Sequence, residues 1–239
     1  QGYSSAASDV YKRQAYICGY PDGTVKPERQ ITRAEVATIF YRLLQDEARE
    51  NVWSRTNSYS DVASGAWYNS AVSTLTNAGI LTGYPDGTFR PDAPITRAEF
   101  ATIAARFYHA PEVTGDAFPD ISGSWAREYI NRAAARGLID GYEDGTFRPN
   151  QNITRGEAMK IINKVLFRTP DKEHFLPDMI KWPDNSNTDA WYYTDVQEAT
   201  NNHDYERVNN TSPETWTKIT QARDWKALEA ELAQKYPNR

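Results

Sequence analysis

The segment GYPDGTFRPDAPITRAE at residues 83–99 recurs as GYEDGTFRPNQNITRGE at 141–157 and as GYPDGTVKPERQITRAE at 19–35. In each copy Thr-Arg follows Gly-Tyr by thirteen residues, with no insertion. A spacing kept through three copies marks one structural unit used three times.

The first half of the unit reads as a turn. In Pro85-Asp86-Gly87-Thr88 the Pro presets φ, the Asp bonds its own backbone and the Gly supplies a positive φ. Phe89 reads as an apolar anchor, and Pro91 and Pro94 keep the loop non-helical. The second half reads as a helix start. Thr96 and Glu99 form a capping box, as do Thr32 with Glu35 and Thr154 with Glu157. An apolar stripe follows each box: Val36, Ile39, Phe40 and Leu43, then Phe100, Ile103 and Phe107, then Ala158, Ile161, Ile162 and Val165. Ahead of the turn, Trp67, Ala71, Val72 and Leu75 predict another helix ending at Ala78-Gly79, and Trp125, Tyr129, Ile130, Ala133 and Gly137 repeat it.

Taken together, the opening aromatic and Asp, the Trp, the Gly-Tyr-x-Asp-Gly-Thr turn and the Thr-Arg-Ala-Glu box resemble the S-layer homology (SLH) repeat. The resemblance covers about two thirds of the chain. It implies an all-α, pseudo-threefold module of helix–loop–helix repeats with a helical or irregular C-terminal extension. It also implies an extracellular place on the wall of a Gram-positive-type bacterium. There the module holds a secreted protein non-covalently to secondary cell-wall polysaccharide, typically one bearing pyruvate ketals.

Composition agrees with a binding module outside the nucleic-acid class. The net charge over 239 residues is −5, whereas nucleic-acid binding wants a basic face. No apolar run approaches the roughly 20 residues of a membrane span. No signal peptide is visible, so on the family reading the export signal lies upstream and this is a piece of a longer chain. The single Cys18 excludes an internal disulfide and reads as a loop residue; three scattered histidines predict neither a metal cluster nor a cofactor site.

Residues 1–14 do not fit the pattern: Tyr3 falls where Trp67 and Trp125 stand, and Ser8 where Val72 and Ile130 stand. The string SSAASDVYKRQ resembles a read-through sequence, and 1–14 is expected to be a non-native or disordered leader. The register returns at Ala15, so the first repeat (15–58, including a polar linker at 45–56) lacks its leading helix. Repeat two spans 59–117 and repeat three 118–170. In the extension, 171–239, Ala190-Trp191-Tyr192 with Val196 echoes Ala66-Trp67-Tyr68 with Val72, like the leading helix of a fourth repeat. Phe175-Leu176-Pro177-Asp178 echoes the opening Phe118-Pro119-Asp120. Trp225, Leu228 and Leu232 predict a short amphipathic helix. A tail helix could fill the place left by the first repeat's missing one; packing on the outside of the module is the favoured expectation.

The candidate glycan-binding residues follow from the repeat. Arg33, Arg97 and Arg155 open capped helices, where unpaired N–H groups and the helix dipole favour an anion, and a guanidinium adds a fork for carboxylate. The residues alone equally support a tie from each Arg to the loop Asp22, Asp86 or Asp144; the resemblance tips the reading toward ligand. Trp67, Trp125 and Trp191 could stack on sugar rings, although a Trp on a helical stripe is more often core, which is the favoured expectation. Tyr20, Tyr84 and Tyr142 are groove walls or loop supports, and Gly19, Gly83 and Gly141 allow close backbone approach or merely turn. Lys26, Arg90 and Arg148 keep a positive charge in each copy, and Gly156 replaces an Ala.

Two other classes stand beside the anchor. A calcium-stabilised, dockerin-like interaction module is suggested by the Asp-Gly loops, but the alternating acids and closing Glu of such a site are missing. An enzyme would need the tail cluster His203, Asp204 and Glu206, which lacks nucleophile or metal spacing. No catalytic residue is assigned, and the chain could equally be the anchor of a larger extracellular enzyme.

Overall fold

The computed structural model describes residues 12–209 and 212–239. The elements are, in chain order, β1 (Lys12–Arg13), α1 (Arg33–Leu43), α2 (Asp46–Val52), α3 (Asn69–Asn77), α4 (Arg97–Phe107), α5 (Arg127–Ala135), α6 (Arg155–Val165), α7 (Tyr193–Thr200), β2 (His203–Glu206), β3 (Thr215–Ile219) and α8 (Trp225–Lys235). They form two compact units, each built from separated stretches of chain.

The first unit comprises Ile31–Ile153 and Asp224–Arg239. Three isoleucines at equivalent places in the repeat form its backbone centre. Ile31 N–H donates to the Ile153 carbonyl, Ile95 to Ile31 and Ile153 to Ile95, at 3.0–3.2 Å. This closed cycle is what three copies of one unit around a common point require. All three side chains are buried, as is the cluster of Phe40, Phe100 and Phe107. Helix α3 packs on α1, and α5 on α4.

The capping boxes form as the sequence predicts. The Thr32, Thr96 and Thr154 hydroxyls accept the N–H of Glu35, Glu99 and Glu157, and each Glu carboxylate accepts the N–H of its Thr. The next donors are also taken. Arg33 and Ala34 N–H donate to the Ala93 and Pro91 carbonyls, and Arg97 and Ala98 to Gln151 and Pro149. The N–H groups expected to face an anion are thus satisfied by a neighbouring loop.

The polar stretch 45–56, expected as a linker, holds α2. Its Arg49 is buried and donates to the carbonyls of Tyr41 and Arg42 at the end of α1 and of Leu44 just beyond it, groups with no further helical partner. Trp53 after it is fully buried. The predicted amphipathic helix α8 belongs to this unit. Its Trp225 ring lies near Tyr41, under the guanidinium groups of Arg42 and Arg49.

The second unit comprises residues 12–30 and 154–223 among those described. Here the expectation of an all-α chain fails. Strands β1, β2 and β3 form an antiparallel sheet in that order, with Lys12 opposite Asp204 and His203 opposite Ile219. The sequence carries the reason: Thr-Trp-Thr-Lys-Ile is β-branched and aromatic, and His203, Asp204, Tyr205 and Glu206 run buried, half-buried, buried, exposed. Part of the presumed leader, Lys12–Arg13, is one of the strands; Tyr3 and Ser8 lie outside the described residues.

Helix α7 packs on α6 in this unit. The stretch that echoes a leading helix is thus helical, but the opening pair expected for it lies elsewhere. Trp182 and Asp184, not Phe175 and Asp178, take the place of Phe118 and Asp120. Asp184 accepts the N–H groups of Val25 and Lys26, as Asp120 accepts those of Phe147 and Arg148. The Phe-Leu-Pro-Asp string mimics the pattern without making that bond.

Candidate glycan-binding cleft

Each repeat loop is tied by its own side chains. Tyr84 N–H donates to the Thr88 carbonyl and Gly87 N–H to that of Tyr84, closing the turn with Gly87 at φ +79°. Asp86 Oδ1 accepts from the Thr88 amide and hydroxyl, and Oδ2 from Arg90. The Thr88 hydroxyl and Arg90 together hold the Asp86 carboxyl down at about 2. Lys26 and Thr24 do the same for Asp22, also at about 2, and Thr146 and Arg148 lower Asp144. Both Asp86 oxygens are thus engaged by hydrogen bonds within the turn.

Arg90 sits at φ +58°, a left-handed conformation unfavourable to a side-chain-bearing residue; Lys26 and Arg148 share it at +50° and +56°. Asp61 fixes it, accepting the N–H of Phe89 and of Arg90 at 2.7 Å each. Gly83 has no room for a Cβ, which would stand 2.3 Å from the Tyr59 ring and 2.6 Å from the Thr88 carbonyl. This glycine is required by the packing of the opening aromatic against the loop.

The repeat arginines are loop fasteners by geometry. Arg33 is 5% exposed. Its Nε donates to the Phe89 carbonyl (2.8 Å), Nη2 to that of Thr82 (3.2 Å) and Nη1 to Glu99 (2.8 Å). The guanidinium lies between the rings of Tyr84 and Phe89. Arg97 likewise donates to the carbonyls of Phe147 and Asp140, and Arg155 to those of Val25 and Cys18. The loop carboxylates considered as ties for these arginines pair with Lys26, Arg90 and Arg148.

A cleft of about 470 Å³ opens beside Arg33. Residues 80–85 form one side, with Gly83 and Tyr84; Glu99, Thr102, Ile103 and Arg106 of α4 form the other, and Trp125 stands at the rim. Tyr84 donates to Glu99 at 2.5 Å, and burial together with that bond pushes its hydroxyl pKa up, so it stays a donor. Arg106 reaches the Thr82 and Tyr129 hydroxyls from a half-buried position. The expectation that the tryptophans are core fails: Trp67 is 63% exposed, Trp125 66% and Trp191 52%. Large exposed aromatics thus recur at equivalent positions of the repeat.

The sequence reading missed Arg106. Its signal was present: nine residues after each repeat arginine stands a cation, Arg42, Arg106 or Lys164. Tyr142 and Asp144 lie in the third loop, and Tyr20 and Asp22 in the first, with the same internal turns.

The structure also brings together groups that sequence distance hid. His203, the first residue of the tail cluster weighed above, is fully buried on β2, with Nε2 at 3.4 Å from Glu198 and 4.0 Å from Glu214. Arg13 pairs with Glu214 at 2.6 Å and Arg168 with Glu198 at 3.3 Å. Trp216 donates to Glu198 and stacks on the imidazole. Burial alone raises the Glu214 pKa, but the neighbouring His203 imidazole and the hydrogen bonds from Arg13 outweigh it and hold the carboxyl at about 2. Each carboxylate already carries a guanidinium, so the cluster reads as a buried ion network fastening the sheet to α7.

Comparison with known proteins agrees with the repeat geometry. The family model for the S-layer homology domain matches residues 2–37, 58–101 and 117–159, just over half of the chain. The chain belongs to the S-layer homology family, whose place is the extracellular cell wall. Cell surface glycoprotein 1 of Acetivibrio thermocellus is 38% identical over 81% of this chain and 9% of its own length. The cellulosome-anchoring protein of the same organism is 38% identical over 80% of the chain and 43% of its own length. The surface-layer 125 kDa protein of Lysinibacillus sphaericus is 32% identical over 69% of the chain and 14% of its own length. The chain thus spans less than half the length of each of these three relatives. No helix among the described residues is long and apolar enough to cross a membrane.

Proposed function

We propose that this module anchors a larger secreted protein to the bacterial wall by binding the anionic secondary polysaccharide, in the form of a pyruvylated glycan. The observation that carries the reading is the exposed Trp125 at the rim of a cleft that also holds Tyr84, Arg33 and Arg106. An indole face packs on the apolar face of a sugar ring. Arg106 meets a ketal carboxylate with a fork of donors, and Glu99 and the residue 80–85 backbone accept sugar hydroxyls. The module does no chemistry itself. Relatives named for surface layers and cellulosome anchoring support the same reading.

Arg33, Arg97 and Arg155 contribute by shaping the loops, with Asp22, Asp86 and Asp144 holding the turns. Gly19, Gly83, Gly141, Tyr20, Tyr84, Tyr142 and Trp67 complete equivalent surfaces. Several weak sites on one polymer gain by effective concentration, so retention does not require one tight site.

The test is retention of the full chain on purified wall with its secondary polymer intact, compared with wall stripped of it. Retention on intact wall alone is expected. Trp125→Ala and Arg106→Gln should each weaken it about tenfold, the loss of about 1.4 kcal/mol, with the unfolding midpoint unchanged. Equal retention on stripped wall overturns the proposal.

A further inference from the structure

The tail repeats, bond for bond, what the leading half of a repeat does elsewhere. In the second repeat Asp61 accepts the Phe89 and Arg90 N–H groups, and Tyr59 covers Gly83 so closely that a Cβ would lie 2.3 Å from its ring. The Tyr59 hydroxyl meets Thr76 at 3.1 Å, and the N–H groups of Ile80 and Leu81 close on the Leu75 carbonyl of α3. In the second unit Asp184 accepts the Val25 and Lys26 N–H groups, and Trp182 covers Gly19, where a Cβ would lie 2.1 Å from its ring. Trp182 Nε1 donates to Thr200 at 2.9 Å, the residue in register with Thr76. Tyr16 and Ile17 N–H donate to the Ala199 carbonyl at 3.1 and 3.2 Å, in register with Ile80, Leu81 and Leu75.

Four contacts therefore agree, and in three of them the partners in the second unit are separated by more than 150 residues of chain. Gly156 has the same origin. A Cβ on it would stand 3.1 Å from Tyr192 Cβ and 3.5 Å from the Trp191 ring. Where the other copies carry Ala34 and Ala98, this one makes room for the tail.

The consequence concerns Trp191. It is in register with Trp67 and Trp125, packs edge-on against Tyr192 at 5.3 Å as Trp67 does against Tyr68 at 5.2 Å, and stays half exposed. Lys160 of α6 lies 5.4 Å from its ring centre. Helix α6 presents Lys160, Ile161 and Lys164 where α4 presents Thr102, Ile103 and Arg106 to the cleft beneath Trp125.

We infer that residues 182–202 act as the leading half of the first repeat, and that Trp191 with Lys160 is a further glycan-contacting pair supplied by the C-terminal segment. The second clause rests on the wall-binding reading; the first does not. A segment outside the matched repeats, which end at residue 159, thus carries both structural closure and a binding aromatic.

Two measurements separate the claims. Amide hydrogen exchange on the full chain tests the closure: Asp184→Asn should raise exchange at Val25 and Lys26 about tenfold, the scale of one lost charged hydrogen bond. It should leave Phe89 and Arg90 unchanged, while Asp61→Asn does the reverse. Unchanged exchange at Val25 and Lys26 overturns the closure whatever the chain binds. Retention on intact wall tests the aromatic, and Trp191→Ala, at an exposed ring, keeps the fold. A fall of about tenfold, matching that of Trp125→Ala, is expected. Full retention in Trp191→Ala beside weakened Trp125→Ala overturns the role of Trp191. Loss of all wall specificity in the unmodified chain overturns both the wall reading and that role, and leaves the exchange result standing.

Discussion

Arg33 and Trp125 show how two residues of one repeat divide fold from site. The guanidinium of Arg33 is buried, stacked between two rings and bonded to two loop carbonyls and Glu99. Removing it strands those acceptors and leaves Glu99 without its cation. Arg33→Ala should therefore cost about 3 kcal/mol in a urea titration. Arg33→Lys should recover only part of that, since an ammonium cannot span three acceptors in a plane. An unchanged midpoint in Arg33→Ala would return the residue to the ligand-contact role that the sequence suggested. The sequence could not separate the roles because an arginine at a helix start suits a carbonyl-rich loop as well as a carboxylate. The tryptophans misled for another reason. Trp67, Trp125 and Trp191 each stand two residues before their helix, which begins at Asn69, Arg127 or Tyr193. A helical stripe that includes them assigns an inward direction to a side chain outside the helix.

At the scale of elements, whatever is encoded by neighbours was legible. The three capped helices begin immediately after the threonines that mark them, because the capping box is a contact within four residues. Helix α2 was hidden because its charged sequence reads as solvated, whereas its buried Arg49 folds back on the end of α1. The sheet was hidden because Lys12–Arg13 and His203–Glu206 find each other across the chain. Its buried ions give it an acid limit. Glu214 titrates at about 2 in the fold against an ordinary 4.5. A depressed carboxylate stabilises fully above its unfolded value, and that contribution is lost as pH falls from about 4.5 toward 2. Between these values, circular dichroism and exchange at Tyr205 and Trp216 should report loosening of the sheet. Glu214→Gln should remove that pH dependence and lower stability at pH 7. A sheet with equal protection at pH 2.5 and pH 6 would contradict the ion network.

For the molecule as a whole, both units are discontinuous in sequence, so their completion depends on late-synthesised chain. Residues 224–239 close the first unit. Leu232 is buried, Tyr236 lies 6.3 Å from the Trp53 ring, and the Arg55 N–H donates to the Arg239 carbonyl at 3.1 Å. Trp225 receives two guanidinium groups on its face. No local pattern announces this, since an amphipathic helix states that it packs without stating on what. Contacts at such separation carry the entropy of a long closed loop, yet that cost grows only slowly with length, so α8 still stabilises what it covers. A chain ending at Arg223 should expose Trp53, which α8 helps to keep fully buried. Its emission should shift to the red in the folded baseline, and the urea midpoint reported by α1 and α2 amides should fall by an amount equal to about 3 kcal/mol. An unshifted Trp53 emission with an unchanged midpoint would mean that α8 only lies against the surface. The distinction bears on anchoring: the cleft wall on α4 packs on Phe40 of α1 through Phe100 and Phe107, so loosening α1 should weaken wall retention without touching a ligand-facing residue.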